Sequence, residues 1–199
     1  MKIWKIWLGA NEVPERFNQY TDTWTKISGG EIITVTDKNV HEWTGKTAFE
    51  LADHFKSNIQ VANHWVRYYL MWKYGGVYLD LDVEVIKDSK LWNANYPVFG
   101  FESPGWVNNH VMICNDTECV IYKMLFFYTW TFHDVLKNPE INTGPGLVTK
   151  YFNNYFPHPH IEQPEVFSPW NWNEKPDRTR ITENTLAVHH FTHSWKKEI

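Results

Sequence analysis

Residues 62–85 read ANHWVRYYLMWKYGGVYLDLDVEV, and this stretch decides the fold. Ile59, Ala62, Val66, Leu70 and Lys73 recur at helical spacing, which predicts a helix from Ile59 to Lys73. Gly75-Gly76 ends it, since glycine adopts the left-handed conformation of a helix stop without penalty. From Val77 to Ile86 the pattern alternates and predicts one strand. Val77, Leu79, Leu81, Val83 and Val85 share one face, and Tyr78, Asp80, Asp82 and Glu84 share the other.

Working outward, residues 2–8 (KIWKIWL) read as a short buried strand and residues 31–36 (EIITVT) as a second. A helix is expected from Thr47 to Lys56, a strand over 97–101 and a buried helix within 118–136. Residues 142–146 (NTGPG) form a turn before a short helix, 157–178 a long proline-bearing loop, and Thr185 to His190 a last strand. Strands alternating with helices predict an α/β sandwich with a largely parallel sheet, formed as a single domain over 1–199. Ligands of such sheets bind beyond the carboxyl ends of the strands, which points to Asp80 and Asp82.

Composition narrows the function. The chain has 199 residues and a net charge of −4, which argues against nucleic acid as a partner. Hydrophobic residues make up 43%, too many for a disordered chain. No apolar run approaches the ~20 residues of a membrane span, and MKIWKIWLGA lacks the pattern of a signal peptide. Two cysteines without a Cys-x-x-Cys spacing fit reduced thiols and a cytoplasmic setting. Aromatic residues reach 17%, with 12 Trp. Most are expected in the core, leaving some rings to stack on sugars or bases.

Asp80-Leu81-Asp82 is the sharpest chemical feature. Two carboxylates on one strand face suit a hard dication, Mn²⁺ or Mg²⁺, with positions left open for phosphate oxygens. The rival reading is the wetted face of an edge strand. Arg67 suits sugar hydroxyls or a phosphate, or else an ion pair with Glu84. His189, His190 and His193 admit a zinc reading, although the segment looks extended and lacks a partner ligand at a known spacing. Trp7 ends its strand beside Gly9, as floor for a base or as core.

The same residues resemble the sugar-binding region of the Asp-x-Asp glycosyltransferases of family 32, related to the glucosylating toxins. Those enzymes carry an Ala-Ser-Asp-x-x-Arg helix and then Tyr-Gly-Gly-x-Tyr-x-Asp-x-Asp. Arg67, Tyr74, Gly75, Gly76, Tyr78, Asp80 and Asp82 match in order and spacing. Ile6-Trp7-Leu8-Gly9, Thr143-Gly144-Pro145-Gly146, Ala187-Val188-His189-His190 and Ser194-Trp195 resemble further family segments. The resemblance implies a single-domain type A glycosyltransferase fold, a Rossmann-like mixed sheet flanked by helices that binds nucleotide sugars.

It also implies a retaining, metal-dependent hexosyl transfer from a nucleoside diphosphate sugar, UDP-linked or alternatively GDP-linked, to a glycan or other hydroxyl, as in polysaccharide biosynthesis. On this reading Asp82, Asp80 and His189 hold the ion. Arg67, Asp80 and Asp82 carry catalysis, and Trp7, His64, Arg67, Tyr78, Asp80, Ser194 and Trp195 hold the donor. One departure stands out: the family's helix Asp is His64 here, and its Ser is Asn63. An acceptor-only carboxylate has become an imidazole that donates or accepts. Two other readings use the same residues: a metal-dependent phosphodiesterase or nucleotidyltransferase, and a carbohydrate-binding module without catalysis.

Overall fold

The computed structural model describes residues 1–9, 12–131, 133–155 and 160–192. Its strands are β1 (Lys2–Trp7), β2 (Glu31–Thr36), β3 (Gly76–Leu79), β4 (Val83–Val85), β5 (Val98–Ser103), β6 (Trp106–Val107), β7 (Val111–Cys114), β8 (His160–Glu162) and β9 (Ala187–His189). Its α-helices are α1 (Asn18–Thr21), α2 (Val40–Thr44), α3 (Ala48–His54), α4 (Ile59–Tyr74), α5 (Val120–Thr131), α6 (Pro139–Asn142), α7 (Pro145–Tyr155) and α8 (Pro164–Phe167). None of the described helices is long and apolar enough to cross a membrane.

One sheet of seven strands runs β2-β1-β3-β7-β5-β6, with β8 paired to β5, and β4 and β9 form a separate antiparallel pair. β1 is parallel to β2 and β3, and β8 is parallel to β5. β7 is antiparallel to β3 and β5, as is β6 to β5. The sheet is therefore mixed, and the expectation of a largely parallel one fails in its second half. The reason is local: β6 and β7 are short, and no crossover helix precedes them.

The helix expected at 59–73 runs Ile59–Tyr74, started by the Asn58 side chain accepting from the Val61 amide at 3.2 Å. The helix expected at 47–56 runs Ala48–His54 behind a reciprocal cap between Thr47 and Glu50. α4 lies between the sheet and α5. Trp65, Tyr69 and Trp72 meet Phe126 with ring centroids 5.1–5.3 Å apart, so many of the rings pack with one another rather than lining a surface. The opposite face of the sheet buries a second cluster that includes Ile3, Val77, Leu79, Leu81 and Val83. The segment 157–178 contains β8 and α8 among its described residues and is not all loop. Both cysteines are free.

Gly75 and Gly76 do more than end a helix. Both have positive φ, +61° and +106°. Gly75 accepts a bond from the Trp4 indole at 2.8 Å, and a Cβ on it would sit 2.9 Å from the Cys114 carbonyl oxygen. A Cβ on Gly76 would collide with the Lys2 carbonyl oxygen, part of the backbone of the neighbouring strand. Strand β3 therefore enters the sheet between β1 and β7 only because two side chains are absent. Gly76→Ala should destabilise the fold by about 2–5 kcal/mol, since strain and a backbone collision add. Urea denaturation measures this, and a loss below about 1 kcal/mol would contradict the close approach.

Candidate functional site

The strand expected from Val77 to Ile86 is interrupted. β3 stops at Leu79, the Asp80 amide donates to the His110 carbonyl at 2.9 Å, and the Val83 amide donates to the Asp80 carbonyl at 2.9 Å. That turn carries Asp80-Leu81-Asp82 beyond the end of the sheet. The alternation survives it: Leu81 stays with the lower core, while both carboxylates face a cavity of about 1030 Å³. Asp82 is 7% exposed, which removes the reading of a wetted edge strand.

Arg67 on α4 supplies the opposing charge. It is 7% exposed, and its guanidinium lies 3.1 Å from Asp80 Oδ1, donates to the Asn109 carbonyl at 3.0 Å and stands 4.4 Å from the centre of the Tyr78 ring. Burial opposes its charge, but Asp80 and Tyr78 overcome this and raise its pKa. Arg67 Nε is buried and has no partner among the described residues. The Tyr78 hydroxyl donates to Asp80 Oδ1. The alternative pair of Arg67 with Glu84 is absent: Glu84 is bound by Arg178 at 3.0 and 3.1 Å and by His190 at 3.0 Å.

Asp82 is held from the far end of the chain. β9 pairs with β4 and sets His189 opposite Val83. His189 Nε2 lies 3.1 Å from Asp82 Oδ1, and the Thr192 amide and hydroxyl donate to Oδ2 at 2.7 and 2.9 Å. Burial pushes the Asp82 carboxyl up, but His189 and Thr192 outweigh it and hold it well below the usual range. One ligand atom each from Asp80, Asp82 and His189 lie within 4.8 Å of one another. His189 Nδ1 is buried without a partner among the described residues. Two carboxylates and an imidazole at this spacing form a donor set that fits a divalent cation. His190, on the other side of the strand, stacks on Tyr20 at 4.4 Å and is not part of it.

His64 is buried at 5% exposure, one helical turn before Arg67, and lines the same cavity. Its Nδ1 lies 2.7 Å from Thr143 Oγ1, and that hydroxyl already donates its only proton to the Pro139 carbonyl at 2.9 Å. Nδ1 therefore carries the proton and donates to Thr143, which leaves Nε2 as a bare acceptor. Burial, and next Arg67, push the imidazole well below its usual pKa and keep it neutral. A Cβ on Gly144 would come within 3.0 Å of His64 Cε1, so the glycine leaves room for the ring. At 5% exposure His64 is not a surface residue of α4.

Trp7, half-buried and 5.9 Å from the Phe17 ring, lines the cavity at the end of β1 together with Gly9, whose amide donates to Asp37 at 3.0 Å. Ser194, Trp195 and His193 lie outside the described residues, as does His158. The sequence reading missed three contributors. Thr192 carried no motif. His110, which bonds Ser168 at 2.9 Å and meets the His189 ring at 4.0 Å, follows an Asn-Asn pair whose signal is weak. Glu102 lies just past the strand expected over 97–101, with nothing to mark it.

Two measurements check the His64 assignment. Nitrogen-15 NMR of the ring should show the neutral Nδ1–H form unchanged from pH 7.5 down to 5.5. Its folded pKa is lowered, so below about 6.5 the unfolded chain takes up a proton that the folded one refuses, and stability falls as pH falls. Between pH 7 and 5.5 the wild type should lose about 1 kcal/mol more than His64→Gln. Equal losses would mean that the ring is protonated in place.

No curated protein sequence matches the chain. Residues 14–99 match the family model described as glycosyltransferase sugar-binding region containing DXD motif, a span that includes α4, the glycine pair and both carboxylates. Among solved structures, one titled "PaToxG Glycosyltransferase" is similar with a TM-score of 0.57 and 15% identity, over 78% of this chain and 68% of that one. At that identity the likeness speaks for the fold, while the family match speaks for the carboxylate turn. Residues 14–99 are thus similar to the DXD-containing glycosyltransferase sugar-binding region, and the chain around them folds like a solved glycosyltransferase.

Proposed function

We propose that the protein transfers a hexose from a nucleoside diphosphate sugar, UDP-linked in the first instance, to a hydroxyl group, with Mn²⁺ or Mg²⁺ held by Asp82, Asp80 and His189. The observation that carries this reading is the convergence of two carboxylates, an imidazole and a buried guanidinium on one cavity that also receives Trp7. A bound dication supplies positive charge against the leaving diphosphate.

The chain's own residues do the rest. Trp7 offers a ring for the base to stack on. Arg67 is fixed by Asp80, Asn109 and Tyr78, so its remaining N–H groups meet sugar hydroxyls without reorganisation. Tyr78 is 3% exposed and its hydroxyl serves Asp80, which makes it a positioning residue. His64 Nε2 accepts one hydroxyl proton where the family's carboxylate has two oxygens, a weaker hold without charge assistance. Retention of the anomeric configuration, a role for Ser194 and Trp195 over the diphosphate, a place in polysaccharide assembly and operation in a reducing cytoplasm complete the proposal.

The test is thermal stability against UDP, UDP-sugars and GDP-sugars, with and without Mn²⁺. Ligand at 100 times its Kd should stabilise the fold by about 2.7 kcal/mol, and only with the metal present. Asp82→Asn should remove the Mn²⁺-dependent part while keeping the fold. Stabilisation by UDP that ignores both Mn²⁺ and Asp82 would overturn the metal assignment. Trp7→Ala should weaken UDP binding by about 1–3 kcal/mol. His64→Asp should change the ranking of UDP-sugars, and an unchanged ranking would make His64 a bystander.

A further inference from the structure

The cavity extends past the carboxylate turn to the β5–β6 hairpin, and the side chains there serve nothing described so far. β5 and β6 are joined by Pro104-Gly105, with Gly105 at φ +78°. Phe101 pairs with Val107 and Ser103 with Trp106, so the register shifts between them and Glu102 is the extra residue of a β-bulge. A bulge re-aims a side chain. Glu102 is half-buried and lines the cavity, as does the half-buried ring of Trp106. Among the described residues no hydrogen bond reaches the Glu102 carboxylate. Burial raises its pKa, which His189 partly offsets and Glu140, also on the cavity wall, reinforces.

A carboxylate partly drawn out of water with no protein donor is held less favourably than in solution, and a ligand that brings its own donors relieves this. The sheet order separates the two ends. Trp7 lies on β1 and the carboxylate turn follows β3, while Glu102 and Trp106 lie on the far pair of strands. A donor whose base lies at Trp7 and whose diphosphate lies at Asp82 leaves the hairpin end for the second substrate.

We propose that Glu102 and Trp106 form the acceptor subsite, and that the acceptor group it takes is a neutral saccharide. This rests on the donor placement proposed above. The Trp106 ring meets the C–H face of a sugar, and Glu102 accepts from the hydroxyl that is to be glycosylated or from its neighbour. Glu140 adds a second negative charge near Glu102, so an acceptor terminus bearing phosphate or carboxylate is disfavoured.

The experiment uses the whole chain with saturating UDP and Mn²⁺. Saturation-transfer NMR is recorded with glucose, galactose, N-acetylglucosamine, lactose and glucose 6-phosphate, and with a serine- and threonine-containing peptide. At least one neutral saccharide should show transfer, and glucose 6-phosphate should show none. Glu102→Gln and Trp106→Ala should each cut that signal at least fivefold while leaving UDP affinity within twofold of wild type. If Trp106→Ala fails to fold, Trp106→Phe takes its place and should retain part of the signal. Saccharide binding that survives both variants, no saccharide binding at all, or binding of the peptide instead would overturn the subsite. Failure of UDP itself to bind would overturn the donor placement, and this inference with it.

Discussion

The ion pair between Arg67 and Asp80 joins the two halves of the architecture. A guanidinium keeps its charge even at 7% exposure, so burying it without a partner would be strongly destabilising, and the Asp80 oxygen at 3.1 Å is that partner. One end of the pair is fixed to a sixteen-residue helix and the other to the turn that closes the central strand. The rotation of α4 over the sheet is therefore tied to the height of the carboxylate turn. Asn109 extends the same connection, because its carbonyl accepts from Arg67 and its side chain donates to Tyr68, whose hydroxyl donates in turn to the Thr143 carbonyl. Four separate segments thus share one polar framework beneath a cavity.

Around that framework the packing is asymmetric. On the helical side large rings interlock between α4 and α5, and on the other side aliphatic residues of β3 and β4 pack together with Phe17, Trp24, Trp92 and Phe167. Side chains can move little in either, since interiors pack at the density of organic crystals. The polar groups above them are held by bonds that originate in rigid elements, which is what a preorganised electrostatic site requires.

Much of this was legible in the sequence, for identifiable reasons. The strands at 2–7 and 31–36 and the helix at 59–74 follow from periodicity and from caps that act over three or four residues. The interruption at Asp80 was not legible. Hydrophobic alternation runs through it without a fault, because the turn keeps Leu81 and Val83 on the same side as Leu79. The antiparallel strands β6 and β7 were missed because they are short, and their pairing is set by tertiary neighbours. His64, Arg67, Asp80, Asp82 and His189 line one cavity, and what had grouped His64 and His189 with the carboxylates was the family resemblance, not spacing. Thr143 as the group that fixes the His64 tautomer needed coordinates, because a hydroxyl's single proton can be assigned only when both of its neighbours are known. Glu102 needed them as well, since a bulge leaves no trace in composition.

The dependence of Asp82 on Thr192, 110 residues further along the chain, has a consequence for how the protein is made. Strands β1, β2 and β3 all lie within the first 79 residues and can pair while synthesis continues. The partners of Asp82 emerge from the ribosome far later. Until β9 docks on β4, the carboxylate turn lacks the partners that hold Asp82. Contacts of such long sequence separation form slowly, because loop closure precedes any gain. The groups that fix Asp82 are therefore the last part of the site to be synthesised, and the carboxylate turn is completed only by the closing segment.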